Sequence, residues 1–166
     1  MTLATGSPDD AAARTGPRLR IGMFCFLISK DWRTALDRAL APFGLRAQQA
    51  AALVRCSQPP GAHPTRLAAL LGTDTAGVTG LIDQLKEKGL ARRRPDPADR
   101  RAVIVAPTKA GAALVPQLRQ VFLDLHRQAV AGFSKDEASS LEGLLERLHA
   151  NLATQLTVRA GATERA

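Results

Sequence analysis

Residues 73–108, TDTAGVTGLIDQLKEKGLARRRPDPADRRAVIVAPT, constrain the fold more than any other stretch of the chain. Val78, Leu81, Ile82 and Leu85 stand at i, i+3, i+4 and i+7, one apolar face of a helix. Asp74 is a competent N-cap and Gly89 a competent C-cap. The pattern then changes period. Residues 90–94 and 102–106 read as two short extended runs around a Pro- and Asp-containing tip at 95–101, which predicts a hairpin. A helix followed at once by a basic hairpin is a helix-turn-helix unit with a wing, so the expected fold is mainly α with a small β-hairpin wing.

Charge is concentrated in the same place. Between positions 86 and 101 stand Lys86, Lys88, Arg92, Arg93, Arg94, Arg100 and Arg101 against Glu87, Asp96 and Asp99, a net +4 of the chain's +8. A charge run is ordinarily a solvated face. On a hairpin directly after a helix it also suits a phosphate backbone, which rewards clustered cations through counterion release. The overall pI near 10.7 implies an anionic partner, whether DNA, RNA or an acidic membrane surface.

The remaining composition narrows that choice. Tyr is absent and aromatic residues make up 4%, which argues against base-stacking platforms for single strands and most RNA. No apolar run is long enough to span a bilayer, and residues 1–17 lack the apolar centre of a signal peptide, so a soluble cytoplasmic protein without membrane contact is expected. Cys25 and Cys56 have no metal-ligand spacing, and His63, His126 and His149 are unpaired in sequence, so neither metal nor cofactor is expected. Without a phosphate-cradling glycine loop, a nucleophile elbow or a His-Glu metal motif, the chain does not read as an enzyme.

In chain order, residues 1–17 mix Gly, Pro, Ser, Thr, Asp and Ala and read as a flexible arm. Residues 18–44 form a first helix with the stripe Phe24, Leu27, Ile28, Trp32, Ala35, Leu36, Ala39 and Leu40. Within 45–107, a short helix turns Leu53 and Val54 inward. A second opens at Pro64, the first helical position, with Leu67, Ala68, Leu70 and Leu71 inward. His63 is expected to cap or to face solvent. Residues 108–157 hold two more helices, the first capped by Thr108 with Leu114, Val115, Leu118, Val121, Phe122 and Leu125 inward. The second is opened by the capping box Ser134 to Glu137 and carries Leu141, Leu144, Leu145, Leu148, Leu152 and Leu156. Residues 158–166 read as a flexible tail. The first and last stripes lack an obvious partner within one chain, and need each other or a second subunit.

The run LAALLGTDTAGVTGLIDQLKEKGLARRRPDPADRRAVIVAPTKAG resembles the core of the MarR family of bacterial winged-helix transcription regulators. The matching positions are Leu67-Ala68, Leu71-Gly72, Leu85, Gly89-Leu90, Asp99, Arg101, Thr108 and Gly111. The resemblance implies a winged helix-turn-helix core with N- and C-terminal dimerisation helices. It further implies a homodimer on a pseudo-palindromic double-stranded operator, commonly a repressor released by a phenolic or amphipathic small molecule.

Carried over residue by residue, the recognition helix presents Thr75, Ala76, Gly77, Thr79, Gly80, Asp83 and Gln84, with Thr75, Thr79 and Gln84 as base or phosphate contacts. Ala76, Gly77 and Gly80 stand where Ser, Thr or Arg often occur. A helical Gly costs about 1 kcal/mol against Ala, so these glycines either let the backbone approach DNA or are tolerated by packing. In the wing, Arg101 matches the arginine that enters the minor groove and Asp99 the carboxylate that orients it. Arg100 and Arg92 to Arg94 are expected at phosphates, although neighbours on a strand alternate faces. Pro107 replaces the usual Leu, which predicts an early end to the second wing strand. Phe24, Trp32 and His126 are candidates for the ligand pocket.

Two other readings stand beside this one. The segment 23–27, with Cys25 at its centre, resembles the peroxide-sensing part of the family's organic hydroperoxide branch. That branch activates its thiolate with Tyr hydroxyls, which are absent here, and a Cys on an apolar helix is ordinarily an inert packing residue. A nonspecific architectural DNA-binding protein would share the charge and the wing, and would differ in a small ratio of specific to nonspecific affinity.

Overall fold

The computed structural model describes the backbone of residues 17–163 and the side chains of residues 20–155. Of the arm expected at 1–17, residues 1–16 lie outside them, and Pro17 opens the first helix. In chain order come α1 (Pro17–Leu40), a 3-10 turn (Ala41–Phe43), α2 (Ala47–Arg55), α3 (Pro64–Leu71), α4 (Thr75–Glu87), β1 (Ala91–Pro95), β2 (Val103–Pro107), α5 (Lys109–Ala129) and α6 (Lys135–Thr163). The chain divides into two compact units, the first ending at Leu125 and the second beginning at His126.

In the first unit a single apolar core gathers Leu36 and Leu40 of α1, Ala50 and Leu53 of α2, Leu67 of α3, Val78, Ile82 and Leu85 of α4, Val105 of β2, and Val115 and Leu118 of α5. Burying each large aliphatic side chain contributes roughly 1.5–3 kcal/mol. This seats the 73–89 segment on the core through the face its spacing predicts. Leu81 is half-buried at the edge of that face. Leu70, expected inward, is 45% exposed, because α3 is only eight residues long and buries Leu67 and Ala68 along a narrower stripe.

The caps follow the local chemistry. Asp74 Oδ1 accepts from Gly77 N–H at 2.7 Å, and Gly89 takes the left-handed φ of 68° just past the end of α4. Thr108 Oγ1 accepts from Gly111 N–H at 3.1 Å and donates to Gly89 O at 2.6 Å, tying the start of α5 to the end of the recognition helix. Gly111 is needed there, since a Cβ would lie 2.0 Å from Leu90 O.

The second unit is built on the capping box. Ser134 N–H donates to Glu137 Oε2 at 2.8 Å and Glu137 N–H to Ser134 Oγ at 3.2 Å. The Ser134 backbone N–H, and after it the Ser134 side chain, hold the Glu137 carboxyl below its ordinary value. The helix runs to Thr163, past the point near Val158 where the sequence suggests that order ends; intrahelical hydrogen bonds continue there without apolar periodicity.

Candidate nucleic-acid interface

α4 presents its outer face at the surface, with Thr75, Ala76, Gly77, Thr79, Gly80 and Gln84 all exposed. The two glycines separate on inspection. A Cβ on Gly77 would lie 2.5 Å from Thr73 Oγ1 and 3.1 Å from Asp74 Oδ1, so the N-cap itself demands glycine. A Cβ on Gly80 would meet nothing within 4 Å, and the protein's own packing gives no reason for glycine there.

Three polar side chains of this helix, Thr79, Asp83 and Gln84, are engaged within the protein. Thr79 Oγ1 donates back to Thr75 O at 2.9 Å. Asp83 pairs with Arg93 of β1, whose guanidinium holds the Asp83 carboxyl below its ordinary value. Gln84 Oε1 accepts from Gln49 Nε2 of α2 at 2.7 Å. Gln49 was not singled out from sequence, and it is 6% exposed. A Gln at a helix N-terminus, three residues after the cap, is the signal that could have pointed to it.

The wing is an antiparallel pair in register from Ala91↔Pro107 to Pro95↔Val103. β2 does not end early at Pro107. Proline at the last ladder position removes one donor only, and Thr108 N–H continues the pairing to Leu90 O at 3.0 Å. The other edge of β2 is paired with Ala62, with N–H to O distances of 2.9 and 2.8 Å between Ala62 and Val105. Two further contacts join the wing to the segment before α3. Arg94 donates from a terminal nitrogen to Pro60 O at 2.6 Å, and His63 Nε2 lies 3.0 Å from Asp96 Oδ2.

Arg94, expected at a phosphate, turns one terminal nitrogen to a backbone carbonyl, and its Nε is buried without a hydrogen-bond partner. Arg93 is likewise directed at α4. Arg92, Arg100 and Arg101 are exposed.

The tip is preset by backbone bonds. Asp96 N–H donates to Ala102 O and Ala102 N–H to Asp99 O, both at 2.9 Å. Ala98 N–H donates to Asp96 Oδ1 at 2.8 Å. Asp99 Oδ1 accepts from the backbone N–H of Arg101 at 2.9 Å, so Asp99 shapes the turn that carries Arg101 through its main chain.

A cavity of about 390 Å³ opens between α2 and α5, lined by Ala51, Val54, Arg55, Arg119, Phe122 and Leu123. Phe24, Trp32 and His126 do not line it. Trp32 packs half-buried against the core, Phe24 is exposed with the Arg20 guanidinium 5.8 Å from its ring centroid, and His126 is exposed. The cavity forms where the small Ala51 faces α5, a signal that apolar spacing alone does not carry. Arg119 donates to Ser57 Oγ at 3.3 Å, and Ser57 Oγ donates to Val54 O at 2.7 Å.

Both cysteines are free. Cys25 is half-buried on α1. Cys56 is buried, its Sγ donating to Leu53 O at 3.4 Å, and burial pushes its thiol up to about 11.

Among the described residues no helix is long and apolar enough to cross a membrane. A sequence profile of the MarR family matches residues 45–103, the segment holding α2 to the wing. The chain is 31% identical over 131 residues to the multiple antibiotic resistance protein MarR of Escherichia coli (strain K12), covering 77% of this chain and 90% of that protein. Among solved structures, CouR from Rhodococcus jostii RHA1 bound to p-coumaroyl-CoA is similar with a TM-score of 0.72 and 29% identity, over 77% of this chain and 90% of that chain. A mutant MarR from E. coli complexed with operator DNA is similar with a TM-score of 0.67 and 30% identity, over 78% of this chain and 93% of that chain. With an exposed helix capped at Asp74, a basic wing beside it and this extent of similarity, the chain belongs to the MarR family of DNA-binding transcriptional regulators.

Proposed function

We propose that this regulator is a cytoplasmic homodimer that binds a pseudo-palindromic double-stranded operator and represses transcription until a small amphipathic ligand releases it. The observation that carries the reading is the pairing of an exposed, core-anchored α4 with a preset wing tip bearing Arg100 and Arg101. α4 would enter the major groove and Arg101 the minor groove, with two half-sites about one helical turn apart. The similar MarR complexed with operator DNA supports this placement. Exposed apolar side chains on α1 (Ile21, Phe24, Ile28) and on α6 (Leu144, Leu145, Leu152) support a homodimer that covers them.

The cavity supports the ligand-released part. Val54, Phe122 and Leu123 offer apolar walls and Arg55 and Arg119 two guanidinium groups, a lining suited to a ligand with an apolar body and an anionic end. CouR is bound to p-coumaroyl-CoA, a molecule of that description. Release requires that the ligand prefer a conformation that fits DNA poorly.

The test is a mobility-shift titration on the DNA upstream of the protein's own gene with excess competitor, repeated with p-coumaroyl-CoA, salicylate and peroxide. Specific binding relieved by an anionic aromatic ligand is expected. Binding no tighter than to competitor favours the architectural alternative, and release by peroxide with restoration by thiol favours a Cys25 sensor.

A further inference from the structure

The hydrogen-bond polarity of the recognition helix is set from inside the protein. Arg46 N–H donates to Gln49 Oε1 at 3.0 Å, and a backbone N–H can only donate, so this end of the Gln49 amide must be its carbonyl. The atom that Gln49 turns toward α4 is therefore Nε2, a donor. Its partner on Gln84, 2.7 Å away, must in turn be the carbonyl Oε1. Gln49 is 6% exposed, so its end of this chain of bonds is shielded from water. The group that the exposed Gln84 amide turns away from α2 is its NH2.

A glutamine that reads adenine uses both amide atoms, its oxygen accepting from N6 and its nitrogen donating to N7. Here the oxygen is turned toward α2. The neighbouring Asp83 carboxylate does not replace it, because it is paired with Arg93; the Thr79 hydroxyl, its proton donated to Thr75 O, acts on its own as an acceptor and not as part of the Gln84 amide. We propose that Gln84 contacts the operator as a hydrogen-bond donor only, and that Gln49 is the positioning residue that imposes this polarity. The matching acceptor is guanine O6 or N7, thymine O4, adenine N7 or a phosphate oxygen. The inference rests on the reading of α4 as the DNA-facing helix.

The experiment uses the full-length protein, duplexes that the wild type selects from a random pool, and three variants: Gln84→Met, Gln49→Met and the double substitution. Gln84→Met strands the buried Gln49 donor, so it lowers the melting temperature and weakens binding roughly 5- to 150-fold, the range one good contact provides. The double variant removes both partners of that bond, which is nearly neutral for folding, and shares with Gln49→Met the loss of the acceptor for Arg46 N–H. Its melting temperature therefore rises back to that of Gln49→Met while its DNA affinity stays low. Gln49→Met frees the Gln84 amide to rotate, and the selected sequences broaden to admit amino-bearing edges.

Weakening confined to the selected sequences assigns the acceptor to a base edge; equal weakening on every duplex assigns it to a phosphate. Wild-type affinity in Gln84→Met, or recovery of affinity together with stability in the double variant, overturns the inference. If Arg101→Ala loses binding while Gln84→Met does not, the inference alone falls. A wild type that selects no duplex overturns the DNA-facing reading itself.

Discussion

Replacing Asp96 by Ala tests whether the wing tip is held by its own hydrogen bonds or by DNA. Asp96 is 7% exposed. One carboxylate oxygen accepts from Ala98 N–H at 2.8 Å and the other lies 3.0 Å from His63 Nε2. A hydrogen bond to a charged group contributes about 1.5–3 kcal/mol when shielded from water. The His63 ring is 46% exposed, so solvent screening reduces that bond to about 0.5 kcal/mol. The sum is about 2–3.5 kcal/mol, which in a protein of this size lowers the melting temperature by roughly 4–14 °C.

Asp96→Asn keeps the acceptor for Ala98 and places an N–H donor against His63, so its loss should stay below about 1 kcal/mol. Because the same turn carries Arg100 and Arg101, the Ala variant should also bind operator about tenfold more weakly, ordering of the tip now being charged to the binding step. Thermal unfolding followed by fluorescence, with an operator titration in parallel, reads both effects. A melting temperature within about 1 °C of wild type, against the expected shift, would refute the stability argument. A lower melting temperature with unchanged operator affinity would show that DNA, not Asp96, sets the tip.

Other substitutions probe neighbouring steps. Arg101→Ala should weaken operator binding roughly 5- to 150-fold while leaving sedimentation as in the wild type, since a groove contact of this kind is worth about 1–3 kcal/mol. Cys56, with its thiol near 11 against an ordinary 9.0, should hold about a thousandth of its population as thiolate at pH 8 and resist iodoacetamide until unfolding. Its folded value lies above the unfolded one, so its contribution is complete below pH 9 and is lost as pH rises toward 11, on the order of 3 kcal/mol; Cys56→Ala should flatten that alkaline limb in urea titrations. Gly111→Ala and Gly80→Ala should move stability in opposite directions. The first sets a Cβ against Leu90 O and costs about 1–3 kcal/mol or more; the second gains about 1 kcal/mol of helix propensity in open space.

Local chemistry made much of the fold legible. Asp74, Pro64, Thr108 and the Ser134 to Glu137 box each act through bonds within a few residues of themselves, so sequence spacing is enough to place them. The apolar face of α4 is legible for the same reason: period maps directly onto burial. Contacts that close across the fold are not. Nothing in the spacing of Gln49 and Gln84, 35 residues apart, or of Arg94 and Pro60, 34 apart, announces a hydrogen bond. Arg94 therefore read as one more phosphate ligand in a run of three, and His63 as a cap without a carboxylate. The cavity was missed for a related reason, since it is defined by what α2 and α5 leave unfilled.

The internal use of Arg93 and Arg94 also changes how the +4 of the 86–101 window should be understood. Alternation along β1 sends Arg93 to Asp83 on α4 and Arg94 to Pro60 on the loop before α3. Arg93 ties the wing to α4 and Arg94 ties it to the loop before α3. A guanidinium paired with a carboxylate is already neutralised, so the salt dependence of binding should follow the exposed Arg92, Arg100 and Arg101 more than Arg93. Rotation of the wing against α4 must break the charge-assisted Arg93–Asp83 bond, and rotation against the loop before α3 must break the Arg94 bond to Pro60 O and the Ala62–Val105 pairing. A ligand in the α2–α5 cavity can therefore relocate the reading head as a unit, through α2 and its Gln49 bond to α4, more readily than it can detach the wing alone. Release of DNA by such a ligand should appear as a change in the spacing of two intact heads, with the wing bonds to α4 preserved.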